Sequence, residues 1–303
     1  MRAGLLGGVL PLLGALVACS AGQVGAGSTN HDSDTTAGAP SIVNTGVAGN
    51  GSPSINTSSG ELGDGGDDGC GSTLDVTFRD FSEAHPDFEM PFSGDVVRRG
   101  LIEVALGADQ KPVFKDSVGH PPASNSPVAI NTDWTPTQPV IHGAATFAQW
   151  YNTTPGVNVE LPKRLVLVET TQGSGVYAYD NSAFFPLAPD EGFGVTPKGN
   201  DLGMNFLFTT EIHVFFTYTP AQKFTFRGDD DLWIFVNGKL ALDLGSMHGP
   251  EEGTIDFDAQ ASSLGITSGG SYAMDIFHAE RHTRGSNFKI TTNIACFTPS
   301  VVK

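Results

Sequence analysis

Phe226-Arg227-Gly228-Asp229-Asp230-Asp231-Leu232-Trp233-Ile234-Phe235-Val236-Asn237-Gly238-Lys239-Leu240 is the stretch on which the fold turns. Residues 232–236 are apolar throughout, which reads as a strand buried on both faces. Asn237-Gly238 then separates them from a second apolar run over residues 239–244. Asn-Gly between two such runs is a hairpin signal, because both turn residues need positive φ. Upstream, Phe224 and Phe226 alternate with polar residues up to the Gly-Asp-Asp-Asp turn. The centre of the chain is therefore β structure with tight turns.

Working outward, other segments share the two-residue period. Thr210, Ile212, Val214, Phe216 and Tyr218 fall on one face of a strand; Glu211, His213 and Thr217 fall on the other, with Phe215 the apolar exception. Leu74, Val76 and Phe78 alternate, as do Phe288, Ile290, Thr292 and Ile294. Leu165-Val166-Leu167-Val168 reads as a strand buried on both faces. Helical periodicity is almost absent; residues 144–151 form a short helix candidate, and residues 117–140, rich in Pro and Ser, read as surface loops. The expected fold class is all-β, an antiparallel sandwich with long loops and a short helix, over residues 70–303.

The N-terminal part reads differently. Arg2, an apolar stretch over residues 5–16 and Leu16-Val17-Ala18-Cys19 form a secretory signal over residues 1–18, too short in its apolar part to span a bilayer. The last four resemble a bacterial lipobox, in which Cys19 becomes the lipidated first residue. Such a Cys carries several acyl chains, enough for stable anchoring. Ser20 behind it favours the outer membrane. The expected location is an outer-membrane lipid anchor with the domain at the cell surface, a periplasm-facing domain being the alternative. Residues 20–69 are rich in Gly, Ser and Thr, without aromatics, Lys or Arg. They read, with Cys19, as a disordered tether with a reach of about 40 Å.

Composition narrows the function. Sixteen Lys+Arg against 33 Asp+Glu give a net charge of −17. That opposes nucleic acid or an anionic membrane surface as a partner; membrane contact is expected through the lipid alone. The acidity lies mainly in residues 70–303, since only six acids precede them. With Cys19 lipidated, Cys70 and Cys296 remain, near the two ends of the domain. In an oxidising compartment they are expected to form a disulfide contributing roughly 5 kcal/mol by the chain-entropy model.

Three clusters carry possible chemistry. Asp229, Asp230 and Asp231 repel one another at a strand entrance; a hard cation such as calcium would offset that, and the alternative is a turn in which the Asp side chains cap backbone N–H groups. His278, Glu280 and His282 would share one strand face if the strand from Tyr272 continued, giving a two-His, one-carboxylate metal site. Their parity matches the core residues Met274 and Ile276, so strand exit at His278 is expected instead. Asp243, Ser246 and His248 have the composition of a nucleophilic triad without a nucleophile-elbow context.

The stretch quoted first, with Asp243-Leu244-Gly245, His248, Tyr272, Asp275-Ile276-Phe277, Ala279-Glu280-Arg281-His282 and Ser286-Asn287-Phe288, resembles the fibro-slime domain. Phe78-Arg79-Asp80-Phe81, His85-Pro86-Asp87-Phe88-Glu89, Phe147, Trp150-Tyr151, Phe184-Phe185-Pro186 and residues 205–211 fit its earlier part. The resemblance spans residues 74–294. It departs at Ser246, where a second Gly is usual, and at Met204, where a His often stands. Fibro-slime domains are similar to the protective-antigen-type β-sandwich of flocculins and adhesins, whose lectin members hold calcium on two adjacent Asp residues. The resemblance implies calcium at Asp229 and Asp230, with Asp231 in the spacer, and Glu280 and Asn287 as further ligands or sugar contacts.

The expected function is a calcium-dependent carbohydrate-binding, adhesive domain for extracellular or cell-wall polysaccharide. His248 and His282 would line its rim, and Trp233 would be a stacking platform if it is not core. Such binding needs no nucleophile, so no enzyme is expected. A second reading is a matrix or protein-interaction module that calcium only stabilises; a third is a metal-dependent enzyme using His278, Glu280 and His282. The sequence leaves the oligomeric state open.

Overall fold

A computed structural model describes residues 55–56, 71–90, 97–122, 138–197, 202–283 and 285–300. The expected signal over residues 1–18, Cys19, Cys70 and all of the tether except residues 55–56 lie outside the described residues. The elements are β1 (Ile55–Asn56), β2 (Thr73–Phe81), α1 (Ala144–Phe147), β3 (Asn158–Val166), β4 (Val168–Glu169), β5 (Tyr177–Asn181), β6 (Phe208–Thr217), β7 (Lys223–Gly228), β8 (Asp231–Val236), β9 (Lys239–Leu244), β10 (Glu251–Asp256), α2 (Phe257–Leu264), β11 (Ser271–Glu280), β12 (Phe288–Thr292) and β13 (Thr298–Pro299).

They form two antiparallel sheets. The larger has eight strands in the order β1-β3-β2-β6-β11-β8-β9, with β13 also paired to β6; the smaller has five, β10-β7-β12-β5-β4. Leu74, Val76, Ile212, Val214, Ile234, Val236, Met274 and Ile276 from the larger sheet meet Phe224, Phe226, Ile290 and Tyr179 from the smaller. The expected sandwich is therefore present. Asn237 (φ 53°) and Gly238 (φ 72°) close the β8–β9 hairpin with the two positive φ values its sequence demands.

The opposite face of the larger sheet is buried too. Trp233, Phe235, Phe277 and Ala279 alternate with the inward residues and so point outward. There they pack with Phe88, Leu101, Ile102, Val140, Ile141, Phe147, Trp150 and Tyr151, supplied by the long segments between β2 and β3. This second layer is why all six residues of β8 are buried.

Four expectations change. The helix over residues 144–151 shortens to α1, which has no side-chain cap at Gly143. α2 was not foreseen, although Asp256 caps it, accepting from the Ala259 N–H at 3.2 Å, and Gly265 ends it at φ 71°. Over residues 165–168 only Leu165 and Leu167 are buried, while Val168 is 55% exposed. The chain passes there from β3 to β4, at the flank of each sheet, where no layer covers the second face. The tether is not wholly apart from the domain, because Ile55 and Asn56 pair with Leu165 and Arg164. At the other end Cys296 is disulfide-bonded, and Gly71 and Phe297 exchange backbone hydrogen bonds of 3.1 and 3.0 Å. These bonds bring the domain's first and last strands together.

The polar face of β6 is also covered. Glu211 accepts from Arg79 Nη1 at 2.5 Å, from Lys111 Nζ and from His213 Nε2, and His213 Nδ1 lies 2.6 Å from Asp275 Oδ1. Burial opposes charge on both residues, but the partners prevail. Glu211 is held at about 2 and His213 is raised above its ordinary value. A histidine raised in the folded state stabilises fully below its unfolded value near 6.5, and that contribution disappears as pH rises through the folded value. The stability difference between wild type and His213→Gln, from urea unfolding, should thus be larger at pH 5.5 than at pH 9. An equal difference at both pH values would show that the imidazole is not charged in this cluster.

Candidate functional site

The chain leaves the smaller sheet at Gly228 and enters the larger at Asp231, so Asp229 and Asp230 cross the end of the sandwich. Two backbone features permit the crossing. Asp230 is left-handed at φ 52°, a conformation Asp tolerates. At Gly228 a Cβ would stand 2.6 Å from the Asn287 carbonyl oxygen. The end of β11, residues 281–283 and 285–287, and the segment 245–250 close on the same point.

β11 does not exit at His278, as expected; it runs on to Glu280. The reason is that β6 and β8 flank it on both sides, with His278 opposite Thr210 and Leu232. His278 is fully buried. Its Nε2 donates to the Asp229 carbonyl at 3.1 Å and its Nδ1 accepts from Thr210 Oγ1 at 3.1 Å. Burial pushes its pKa down to about 3, so the ring is neutral. Both nitrogens are engaged, which removes His278 from the two-His, one-carboxylate site. His282 Nδ1 faces the Thr283 carbonyl instead.

Asp231 departs from the expected ligand set. Its Oδ2 accepts from Arg281 Nε at 2.6 Å and its Oδ1 from the Ser246 N–H at 2.6 Å. Neither side chain of the Asp231–Arg281 pair has any exposed surface. Arg281 also donates through Nη1 to the carbonyls of Asp87 and Val140, at 3.0 and 2.8 Å, and its guanidinium lies 4.6 Å from the Trp150 ring centroid. Sequence reading missed Arg281 as the centre of this arrangement; a lone Arg between Glu280 and His282 gave no sign that it would be buried.

Trp233 is not a stacking platform. It is fully buried in the outer layer, its Nε1 donates to Asp243 Oδ1 at 3.0 Å, and it packs edge-on to Phe147. His248 is also buried, its ring nitrogens 2.7 Å from the Gly249 carbonyl and 3.1 Å from the Leu244 carbonyl. Asp243 accepts from backbone N–H groups of Gly100 and Gly245 as well as from Trp233, so it orders loops rather than a triad. Of the expected rim residues only His282 keeps partial exposure.

Three carboxylates remain at the crossing. Asp229 Oδ2 accepts from Asn287 Nδ2 at 2.7 Å, and its Oδ1 from the Asn287 N–H. Asp230 Oδ2 accepts from the Arg281 N–H at 2.7 Å. Glu280 Oε1 accepts weakly from the His282 N–H at 3.4 Å, while Oε2 is buried with only the Ser286 hydroxyl, itself buried, near enough to act on the carboxyl. Burial raises all three pKa values: Asp229 moves up, Asp230 reaches about 8 with Asp231 and Asp229 adding repulsion, and Glu280 rises well above its ordinary value with Asp230 and Asp229 adding to it. Among the described residues no group of three or more His, Cys, Asp or Glu stands in a preformed metal-binding arrangement. What does stand there is an all-oxygen set whose neutral forms burial favours, although the Arg281 charge opposes that at Asp230. Asn287 serves as the donor to Asp229.

No protein-family model matches the chain. It is similar to curated proteins of Dictyostelium discoideum. Protein psiD is 37% identical over 224 residues, covering 73% of this chain and 41% of psiD. Protein psiC is 34% identical over 233 residues, again 73% of this chain and 41% of the relative. The chain thus spans about two fifths of the length of these relatives. Among solved structures, the epithelial adhesin 6 A domain of Candida glabrata, in complex with Galb1-3GlcNAc, shares 16% identity over 32% of this chain and 52% of its own, with a TM-score of 0.21. An anti-sigma factor domain-containing protein shares 9% over 76% of this chain and 79% of its own, with a TM-score of 0.23. Neither structural likeness is close enough to support an argument.

Breaking a buried ion pair by removing one partner costs roughly 3–5 kcal/mol. Arg281→Met should lose stability in that range by urea unfolding. The double variant Asp231→Asn/Arg281→Met should lose clearly less than the sum of its singles. Additive losses would mean that the two side chains do not depend on each other.

Proposed function

We propose that this chain carries a fibro-slime-type β-sandwich that binds calcium through Asp229, Asp230 and Glu280 and, through it, extracellular or cell-wall polysaccharide. The single observation that supports the reading most is the burial of three carboxyl groups at one crossing, Asp229, Asp230 and Glu280, each with its charged form disfavoured and Glu280 Oε2 met only by the Ser286 hydroxyl. Bound calcium would favour the ionised carboxylates, displacing the protons that burial retains, and present coordination positions to vicinal hydroxyls. The protein's own share is to hold the carboxylates together: Arg281 fixes Asp230 through its N–H, and Asn287 fixes Asp229. The Leu16-Val17-Ala18-Cys19 stretch supports a lipid anchor, with the intervening residues as a tether. In this reading the chain is an adhesive surface protein, not an enzyme.

A second reading, calcium as a stabiliser alone, has one observation in its favour: Asp229 and Asp230 are each only 6% exposed. The two separate by experiment. Calcium at a hundredfold above its Kd should stabilise the purified chain by about 2.7 kcal/mol, seen as a higher melting temperature than in chelator. Asp230→Asn and Glu280→Gln should lose that shift, and in chelator Glu280→Gln should melt no lower than wild type, because burial already favours the neutral acid that the amide resembles. Calcium-dependent retention on polysaccharide favours the first reading; a calcium shift without retention favours the second. No shift in a folded wild type would rule out both.

A further inference from the structure

The end of the sandwich that holds the carboxylates also carries an exposed apolar loop. Among the described residues seven large apolar side chains are exposed, and two of them, Phe193 (45%) and Val195 (38%), stand two positions apart. Single exposed apolar residues are ordinary; an exposed aromatic anchored beside a polar site is a candidate contact surface. Phe215, the other exposed aromatic, lies mid-strand opposite Thr298, away from this end.

Strand register measures the separation. Asp80 pairs with Phe208 and Phe208 pairs with Glu280, so the three occupy one row across β2, β6 and β11. Two strand spacings put the Asp80 and Glu280 positions about 10 Å apart, roughly the length of two linked sugar rings. Phe193 is tied to the Asp80 end of that row, because its N–H donates to Asp80 Oδ2. The preceding Gly192, at φ 60°, lies against the same carboxylate, where a Cβ would stand 2.1 Å from Asp80 Oδ2. Asp80 Oδ1 is itself fixed by Asn205 Nδ2 at 2.7 Å. The backbone under the ring is thus anchored to the sheet while the ring faces solvent. A pre-positioned aromatic loses little freedom when it binds.

We propose that Phe193, with Val195 two positions on, is a stacking surface for a neighbouring sugar of the same polysaccharide whose hydroxyls reach the Asp229–Asp230–Glu280 site. This rests on the calcium reading of that site and adds to it the ligand's shape: a chain of at least two or three pyranose rings, the bound stretch presenting a C–H face at one end and a vicinal diol at the other. The role that the sequence suggested for Trp233 passes to a residue whose surroundings leave it open. An aromatic ring packs on such a C–H face by apolar burial with no charge to satisfy.

The test is affinity electrophoresis of the chain, with calcium present, through gels containing galactomannan, dextran or xylan. Wild type should be retarded by at least one of the three. Phe193→Ala should weaken that retardation about tenfold, a stacking-sized loss, while its calcium melting shift stays at the wild-type value. Phe193→Trp should retain or strengthen it. Three outcomes overturn the proposal: Phe193→Ala retarded like wild type, Phe193→Trp as weak as the Ala variant, or wild type retarded by none of the gels. In each the calcium shift can persist, so the cation site would stand alone. Retardation that depends on Phe193 in a chain without any calcium shift would support the stacking surface and overturn the cation reading.

Discussion

The buried pair between Asp231 and Arg281 is the contact on which the rest of the arrangement depends. A guanidinium and a carboxylate have both been taken out of water, which is costly unless each is held by further partners. The protein supplies them. Arg281 reaches across to carbonyls in two separate segments, at Asp87 and Val140, and lies against Trp150. Trp150 in turn donates to Asp87 Oδ2 at 3.0 Å. One ion pair therefore joins the entrance of β8, the exit of β11 and the loops that cover the outer face of the larger sheet. The same residue turns its backbone N–H toward Asp230, so structural and candidate binding roles meet in one side chain and its own peptide.

That geometry separates three neighbouring aspartates that look equivalent in the chain. Asp231 faces the outer layer and is neutralised by Arg281. Asp229 and Asp230 bridge the two sheets and gather with Glu280, where no cationic side chain among the described residues forms an ion pair with them. Strand entry decides this: Asp231 begins β8 and shares the outer face of Trp233 and Phe235, whereas Asp229 and the left-handed Asp230 precede the strand. Burial then acts on the trio in one direction, opposing charge on each, and leaves Glu280 with weak partners, the His282 N–H and the Ser286 hydroxyl. The contrast with Glu211, equally buried but ringed by Arg79, Lys111 and His213 and held at about 2, shows that compensation rather than burial sets the outcome.

Much of the fold was legible. The alternation in β2, β6 and β12, the uniformly apolar β8 and the Asn237-Gly238 turn each carry a local physical signal, and each appears where it was read. The Asp256 cap and the Gly265 stop of α2 were equally present in the sequence but were passed over for want of helical periodicity. The site was half legible. The acidic turn and Glu280 stood out by charge and spacing, whereas the burial of Trp233 and His248, the neutral state of His278 and the anchoring of Phe193 depend on residues scores of positions away.

The sequence by itself determined the β class, the hairpin and the place of the acidic turn, because those follow from side-chain alternation and from the φ values that Asn, Gly and Asp permit. Only the tertiary structure decided that the larger sheet is covered on both faces, since that cover comes from long segments without periodicity of their own. It alone decided which aspartate is paired with a cation and which are pushed toward the neutral acid, because a carboxylate's state depends on what the fold places within a few ångströms of it.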